Sequence, residues 1–141
     1  MRAIIERFVD RVFDDPMIGF LFCRADRERV KAKEYEFAAS HLGAPVTYTG
    51  KPLRQAHSQH PILGGHFMRR LRILETTLDD FEAPPAVKAH WLRHTLELRP
   101  LITPDRTDEC RGSPLGAGKL DSPSSTSDAP PGQHTVKLRR R

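Results

Sequence analysis

The chain has 141 residues, a net charge of +5 and 38% hydrophobic residues, which suits one domain of ordinary size. No run of about 18 apolar residues occurs, which excludes a membrane-spanning helix, and two cysteines, Cys23 and Cys110, exclude a disulfide framework. The positive excess specifies neither nucleic acid nor anionic lipid, because no zinc-finger spacing, aromatic-interleaved basic strand or basic heptad helix accompanies it.

Ile4, Ile5, Phe8, Val9, Val12 and Phe13 recur at helical spacing, with Glu6, Arg7, Asp10 and Arg11 opposite. They predict a first amphipathic helix. Its acidic residues argue against a signal peptide, so a cytoplasmic location with free thiols is expected. Asp15-Pro16 closes the pattern and starts a short turn over residues 17–22. Asp26 is a good N-cap for a helix over residues 27–42, and Gly43 supplies its stop. On that helix Val30, Glu34, Phe37, Ala38 and His41 fall on one face. Glu34 is odd in such company, since a bare buried carboxylate is costly. Either Lys31, Lys33 or a neighbouring helix neutralises it, or the face borders a cavity that holds a polar ligand.

The segment Tyr48-Thr49-Gly50-Lys51-Pro52 follows as a turn carrying an aromatic, with Pro52 at the first position of a short helix over residues 52–57. His57 lies near the end of that helix. Such an arrangement can hold an imidazole rigid beneath a flat cofactor, and one fixed His is enough to ligate haem iron; a partly buried or surface His is the plain alternative. A disordered-looking connector over residues 58–64 precedes a helix over residues 65–81, with Phe67, Leu71, Leu74 and Leu78 as its inward stripe. Pro84-Pro85 opens a last helix to about residue 98, with Val87, Trp91, His94 and Leu98 facing in and Pro100 ending it. Strand alternation is absent, so the folded part, residues 1–102, is predicted all-α.

Residues 103–141 are rich in Pro, Ser and Gly and carry too little apolar surface to offset the entropy of ordering. A disordered tail is expected, ending in the basic cluster Lys137-Leu138-Arg139-Arg140-Arg141, a solvated terminus or a weak anchor for anionic partners. His90 and His94 have the i, i+4 spacing of two zinc ligands, but no His-Glu-x-x-His sequence is present, which argues against a zinc hydrolase. His66 suits a helix start, His60 is an alternative iron ligand, and a cationic His41 would favour its helix's dipole.

Between Ile4 and Ile102 the chain resembles a truncated haemoglobin. The resemblance rests on an ordered series: Phe8 to Pro16, with its Phe-Asp-Asp-Pro ending; Phe22, six residues past that Pro; Leu42-Gly43-Ala44-Pro45; Tyr48-Thr49-Gly50-Lys51-Pro52; His57; and Gly65-His66-Phe67 opening a long helix. It implies a globin-like, two-over-two helical sandwich around haem b, with His57 as the proximal iron ligand. Phe22 matches the aromatic that packs on the haem. Val30, Glu34, Phe37 and Ala38 would line the pocket above the iron, and Phe67 and Leu71 would pack on the macrocycle. Lys33, Tyr48 and Arg54 would meet the propionates. The implied function is reversible binding of a diatomic gas (oxygen, nitric oxide or carbon monoxide), for oxygen transport or, with a reductase, nitric oxide dioxygenase-like detoxification. No catalytic residue is assigned.

Three departures qualify the resemblance. The family's short first helix with its Gly-Gly motif has no counterpart ahead of Arg2, so a shortened N-terminus is expected. The tyrosine that follows the aromatic matched by Phe8 is Val9 here, and the distal glutamine is matched by Glu34. An ionised Glu cannot donate a hydrogen bond; desolvation would favour a protonated one that can. Weaker stabilisation of bound oxygen and faster oxidation are expected. The alternative is a non-haem helical interaction module that keeps the scaffold and uses its basic surface.

Overall fold

The computed structural model describes residues 1–104. Among them there are helices and turns but no strand: α1 (Arg2–Phe13), a 3-10 turn (Gly19–Phe22), α2 (Arg27–His41), α3 (Leu53–His57), α4 (Gly64–Asp80), α5 (Pro85–Glu97) and α6 (Arg99–Ile102). Helix α1 packs on α2 and α4, α4 packs on α5, and α3 packs on α6. The pairs α1–α2 and α4–α5 thus make the two-over-two sandwich. The tail expected over residues 103–141 lies, from Asp105 onward, outside the described residues. Thr103, its expected first residue, is buried and donates its hydroxyl to Arg99 O at 3.3 Å.

The core follows from helical periodicity. Ile5, Phe8, Val9 and Val12 recur at i, i+3, i+4 and i+7, and each is at most 3% exposed. They meet Ile73, Leu74 and Leu78 of α4, Ala38 of α2, Trp91 of α5 and Ile18 of the linking turn. Each of the Ile, Leu, Val and Phe side chains contributes roughly 1.5–3 kcal/mol when fully buried. Ion pairs set the orientation around it: Lys31 and Arg27 of α2 reach Asp10 at 2.9 and 3.3 Å, and Arg11 reaches Asp80 on α4 at 2.5 Å. Helix α2 behaves differently from α1. It buries only Ala38 and Ala39, and leaves Val30, Lys33, Glu34 and Phe37 half-covered. A face left partly open, with Val30 and Phe37 as its apolar part, leaves room for a site beside α2.

The caps of α2 form as the sequence predicts. Asp26 accepts the Arg29 N–H at 3.0 Å, satisfying one orphan donor of the first turn. At the other end Gly43 takes φ +86°, and Ala44 and Gly43 donate to Ala39 O and Ser40 O at 2.9 and 3.4 Å. This is a Schellman stop, in which the left-handed residue disfavours a side chain. Asp26→Ala is expected to lower unfolding stability by about 1 kcal/mol, read as a lower urea midpoint with an unchanged m-value.

Four expectations are corrected. Pro52 is the N-cap of α3, with ψ 138°, and Leu53 is its first helical residue. Residues 58–63 are an ordered turn, with His60 N donating to His57 O at 3.0 Å and Ile62 N to His60 O at 2.8 Å. Val87 is exposed, at 38%, because α5 turns its Trp91 and Thr95 face to the core instead. Pro100 does not end helicity: it sits in the first turn of α6, where its missing N–H is no loss.

Candidate functional site

His57 is the last residue of α3 and is half-buried. Its Nδ1 lies 2.7 Å from Leu53 O, one helical turn back, so Nδ1 carries the proton and donates it. That bond fixes the ring plane. Among the described residues no hydrogen bond engages Nε2. Burial pushes the imidazole below its usual 6.5, with the Arg70 and His60 charges acting the same way, against the Leu53 hydrogen bond and the Glu34 carboxylate. The product is a neutral, oriented imidazole with one basic nitrogen to offer, the state in which His binds a metal.

An ion pair joins α2 to α4. Arg70 donates from Nη2 to Glu34 Oε2 at 2.8 Å, and its guanidinium lies 4.7 Å over the centre of the Phe8 ring. The carboxylate that looked out of place is therefore neutralised by a neighbouring helix, not by Lys31 or Lys33. Of the alternatives left open for Glu34, pairing with a neighbouring helix is the one formed. Val9, beside Phe8, is 2% exposed and belongs to the core. Arg70 was missed in the sequence. Three residues past Phe67 and next to Leu71, it lies close enough to the inward stripe for helical geometry to have flagged it.

The remaining predicted residues divide into lining and rim. Val30 is partly buried against the core, and Phe22 is too, its ring 5.0 Å from that of Phe13. Phe67 is 3% exposed, whereas Leu71 is half-covered. Phe37 sets its ring edge-on to Tyr48 at 5.2 Å, and Tyr48 donates its hydroxyl to Lys51 O at 3.2 Å. Gly50 is required beneath that ring, because a Cβ there would fall 2.1 Å from the Tyr48 hydroxyl oxygen. Burial pushes the Tyr48 hydroxyl up, keeping it protonated. Lys33 reaches both Glu36 carboxylate oxygens at 2.9 Å and the Thr49 hydroxyl at 2.5 Å. Glu36 also accepts the Thr49 N–H at 3.0 Å, and these donors, Lys33 foremost, lower its carboxyl to about 2. The 48–52 loop is thereby tied to α2. Arg54 is exposed.

His41, His90 and His94 form a second cluster, with the His41 and His94 rings stacked at 4.2 Å. Among the described residues, no three His, Cys, Asp or Glu groups stand where they could hold a metal ion.

The sequence profile described as bacterial-like globin matches residues 1–102. The group 1 truncated hemoglobin GlbN of Mycolicibacterium paratuberculosis is 36% identical over 67 residues, 48% of this chain and 49% of that protein. The group 1 truncated hemoglobin LI410 of Chlamydomonas moewusii is 28% identical over 87 residues, 60% of this chain and 51% of that one. The chain spans about half the length of these curated relatives. The crystal structure of truncated hemoglobin from Tetrahymena pyriformis in its Fe(III) form superposes with a TM-score of 0.66 at 23% identity, covering 72% of this chain and 87% of that one. The structure of Chlamydomonas reinhardtii THB1 gives a TM-score of 0.61 at 21% identity, covering 72% and 85%.

Proposed function

Because the chain belongs to the bacterial-like globin family, we propose that it binds haem b through His57 and that its ligand is a diatomic gas. The observation that carries this reading is the His57 imidazole, with Nδ1–H committed to Leu53 O and Nε2 unengaged. The donor set fits the group. A neutral nitrogen base suits iron, and the half-covered Val30, Phe37 and Leu71 suit a flat hydrocarbon. A haem held there by His57 would supply an iron able to bind oxygen, nitric oxide or carbon monoxide.

The chain's own residues do the rest. His57 holds its orientation through Leu53 and stays neutral through burial. Phe67 and Leu71 of α4, with Val30 and Phe37 of α2, exclude water from the apolar surfaces they cover. Lys33, Tyr48 and Arg54 stand on α2, the following loop and α3, as polar groups for the two haem carboxylates. Lys33 would have to share its charge with Glu36. Reversible oxygen binding fits this site, and nitric oxide detoxification fits it with an electron-donating reductase partner.

Titration of the purified chain with hemin, followed by absorbance, tests the reading. A Soret band that saturates at equimolar haem is the expected result. A chain that stays colourless through the titration overturns it and leaves a helical scaffold without haem.

A further inference from the structure

We infer that His41, His90 and His94 form an acid-sensitive latch between α2 and α5, holding the two helices together while the rings are neutral and releasing them when the rings take up protons. The latch is independent of haem binding. The His41 and His94 rings stack at 4.2 Å, His90 lies 6.0 Å from His41, and Trp91 stands edge-on to His41 at 6.0 Å. Phe37, one turn before His41 on α2, adds a ring contact with His94 at 6.0 Å. All of these contacts cross from α2 to α5, so what disturbs the rings disturbs the seam between the helices.

Two of the rings are held in forms that a proton upsets. His41 donates its Nδ1–H to Phe37 O at 3.0 Å, which leaves Nε2 as the bare nitrogen. That Nε2 is buried and, among the described residues, has no hydrogen-bond partner. A proton arriving there makes a cation whose new N–H finds no acceptor, a costly state away from water. Arg93 donates from Nη2 to His90 Nδ1 at 3.4 Å, and protonating that nitrogen replaces the bond with two facing cations. His94 differs, because its Nδ1 lies 4.0 Å from Glu97, which favours a charge; Glu97 is 64% exposed, so solvent weakens the pull. His94 therefore takes the first proton and sets a positive charge against the His41 ring.

The other charged and titratable groups facing the cluster among the described residues are few. Glu34 on α2 favours a charged His41, but is itself paired with Arg70 of α4. Tyr48 on the following loop meets Phe37, and burial keeps its hydroxyl protonated. Burial foremost, with the His94 and His90 charges, holds His41 below its usual 6.5 against the Phe37 hydrogen bond and Glu34. It also outweighs the attraction of the α2 C-terminus for a cation. Once α2 parts from α5 the imidazoles are hydrated and titrate ordinarily, so the released state binds protons more readily. The latch is thus at full strength above the ordinary histidine pKa and weakens as the pH falls below it.

Hydrogen–deuterium exchange of the full chain, read by mass spectrometry for peptides from α2 and α5 and corrected for the intrinsic pH dependence of exchange, tests the latch. Protection of the last turn of α2 and of the α5 turns facing it is expected to fall about tenfold between about pH 7.5 and about pH 5.5, the factor that one unit of displaced titration gives. His41→Phe keeps a ring in place and removes the proton site, and its protection is expected to change by less than about twofold over the same range. His94→Phe, at a more exposed position, removes the charge that stacks on His41 and is expected to reduce the fall even if His41→Phe does not fold. An α2–α5 seam in the parent whose protection ignores acid overturns the latch, and so does a fall that persists undiminished in the variants.

Discussion

His57→Gly is expected to abolish stable haem uptake, and added imidazole to restore it. The effect is large because, on the proposed reading, His57 would be the iron ligand itself rather than a supporting contact, with its ring oriented by Leu53 O and kept neutral by burial. Loss of a thousandfold or more in affinity, roughly 4 kcal/mol, is the scale that separates a retained haem from one lost during purification. The fold should survive the change. His57 is half-buried on a five-residue helix and is not among the core residues centred on Phe8, Leu74 and Leu78. Far-ultraviolet circular dichroism should therefore match the parent while the Soret absorbance vanishes, and imidazole should return the band by filling the space the side chain leaves. A His57→Gly chain that keeps its full haem content would contradict the assignment.

Asp15→Ala is expected to lower unfolding stability by about 2–3 kcal/mol, although Asp15 has no part in the site. Its side chain is 5% exposed. One oxygen accepts the Met17 and Ile18 N–H groups at 2.9 and 3.2 Å, and the other accepts Arg69 Nε and Nη2 at 3.0 and 2.7 Å. Removing the carboxylate leaves the buried Ile18 N–H without its acceptor, which costs about 1–3 kcal/mol. The ion pair adds less, because Arg69 is 39% exposed and solvent screens it, so about 1 kcal/mol is the upper end. Asp15→Asn keeps an acceptor for the turn and should recover roughly the backbone share.

Acid should reveal the remaining, charged share. The Arg69 guanidinium, ahead of the Met17 and Ile18 N–H groups, holds the Asp15 carboxyl below its ordinary 3.8 against the effect of burial. A carboxylate depressed by folding stabilises the native chain above the unfolded pKa, and that contribution is lost as the pH falls through the folded one. Urea midpoints of parent and Asp15→Asn should differ by a constant amount at neutral pH and converge below about pH 4. A gap that persists undiminished into strong acid would show that the charge contributes nothing.

The local geometry around His57 was legible in the sequence because its parts are close in the chain. Tyr48, Gly50, Pro52 and His57 lie within ten residues of one another, so spacing alone puts an imidazole at the end of a short helix behind a turn. Glu34 was visible as a charge on an apolar face, but its partner was not. Arg70 is 36 residues away, on a helix that meets α2 only after α1 has brought the two together. The identity of that partner settles which of the open readings holds: the carboxylate is paired by a cation from a neighbouring helix.

Asp15 shows the same division. The Asp15-Pro16 step announces the end of α1, since Pro cannot continue a helix interior. Nothing local says that the carboxylate is buried, because Arg69 is 54 residues on. Pro100 is the converse case. Its local meaning, the end of a helix, is overridden by α6, which packs on α3 and gives Pro a first-turn position.

What the amino-acid order determined by itself is therefore the set of short-range features: the all-helical class, the α1 stripe of Ile5, Phe8, Val9 and Val12, the Asp26 and Gly43 caps, and an imidazole poised at residue 57. These depend on hydrogen bonds and side-chain spacings within a turn or two of helix, which sequence distance specifies directly. Only the tertiary structure decided which charges meet. Arg70 with Glu34 and Arg69 with Asp15 arise from packing elements whose relative placement no local spacing encodes.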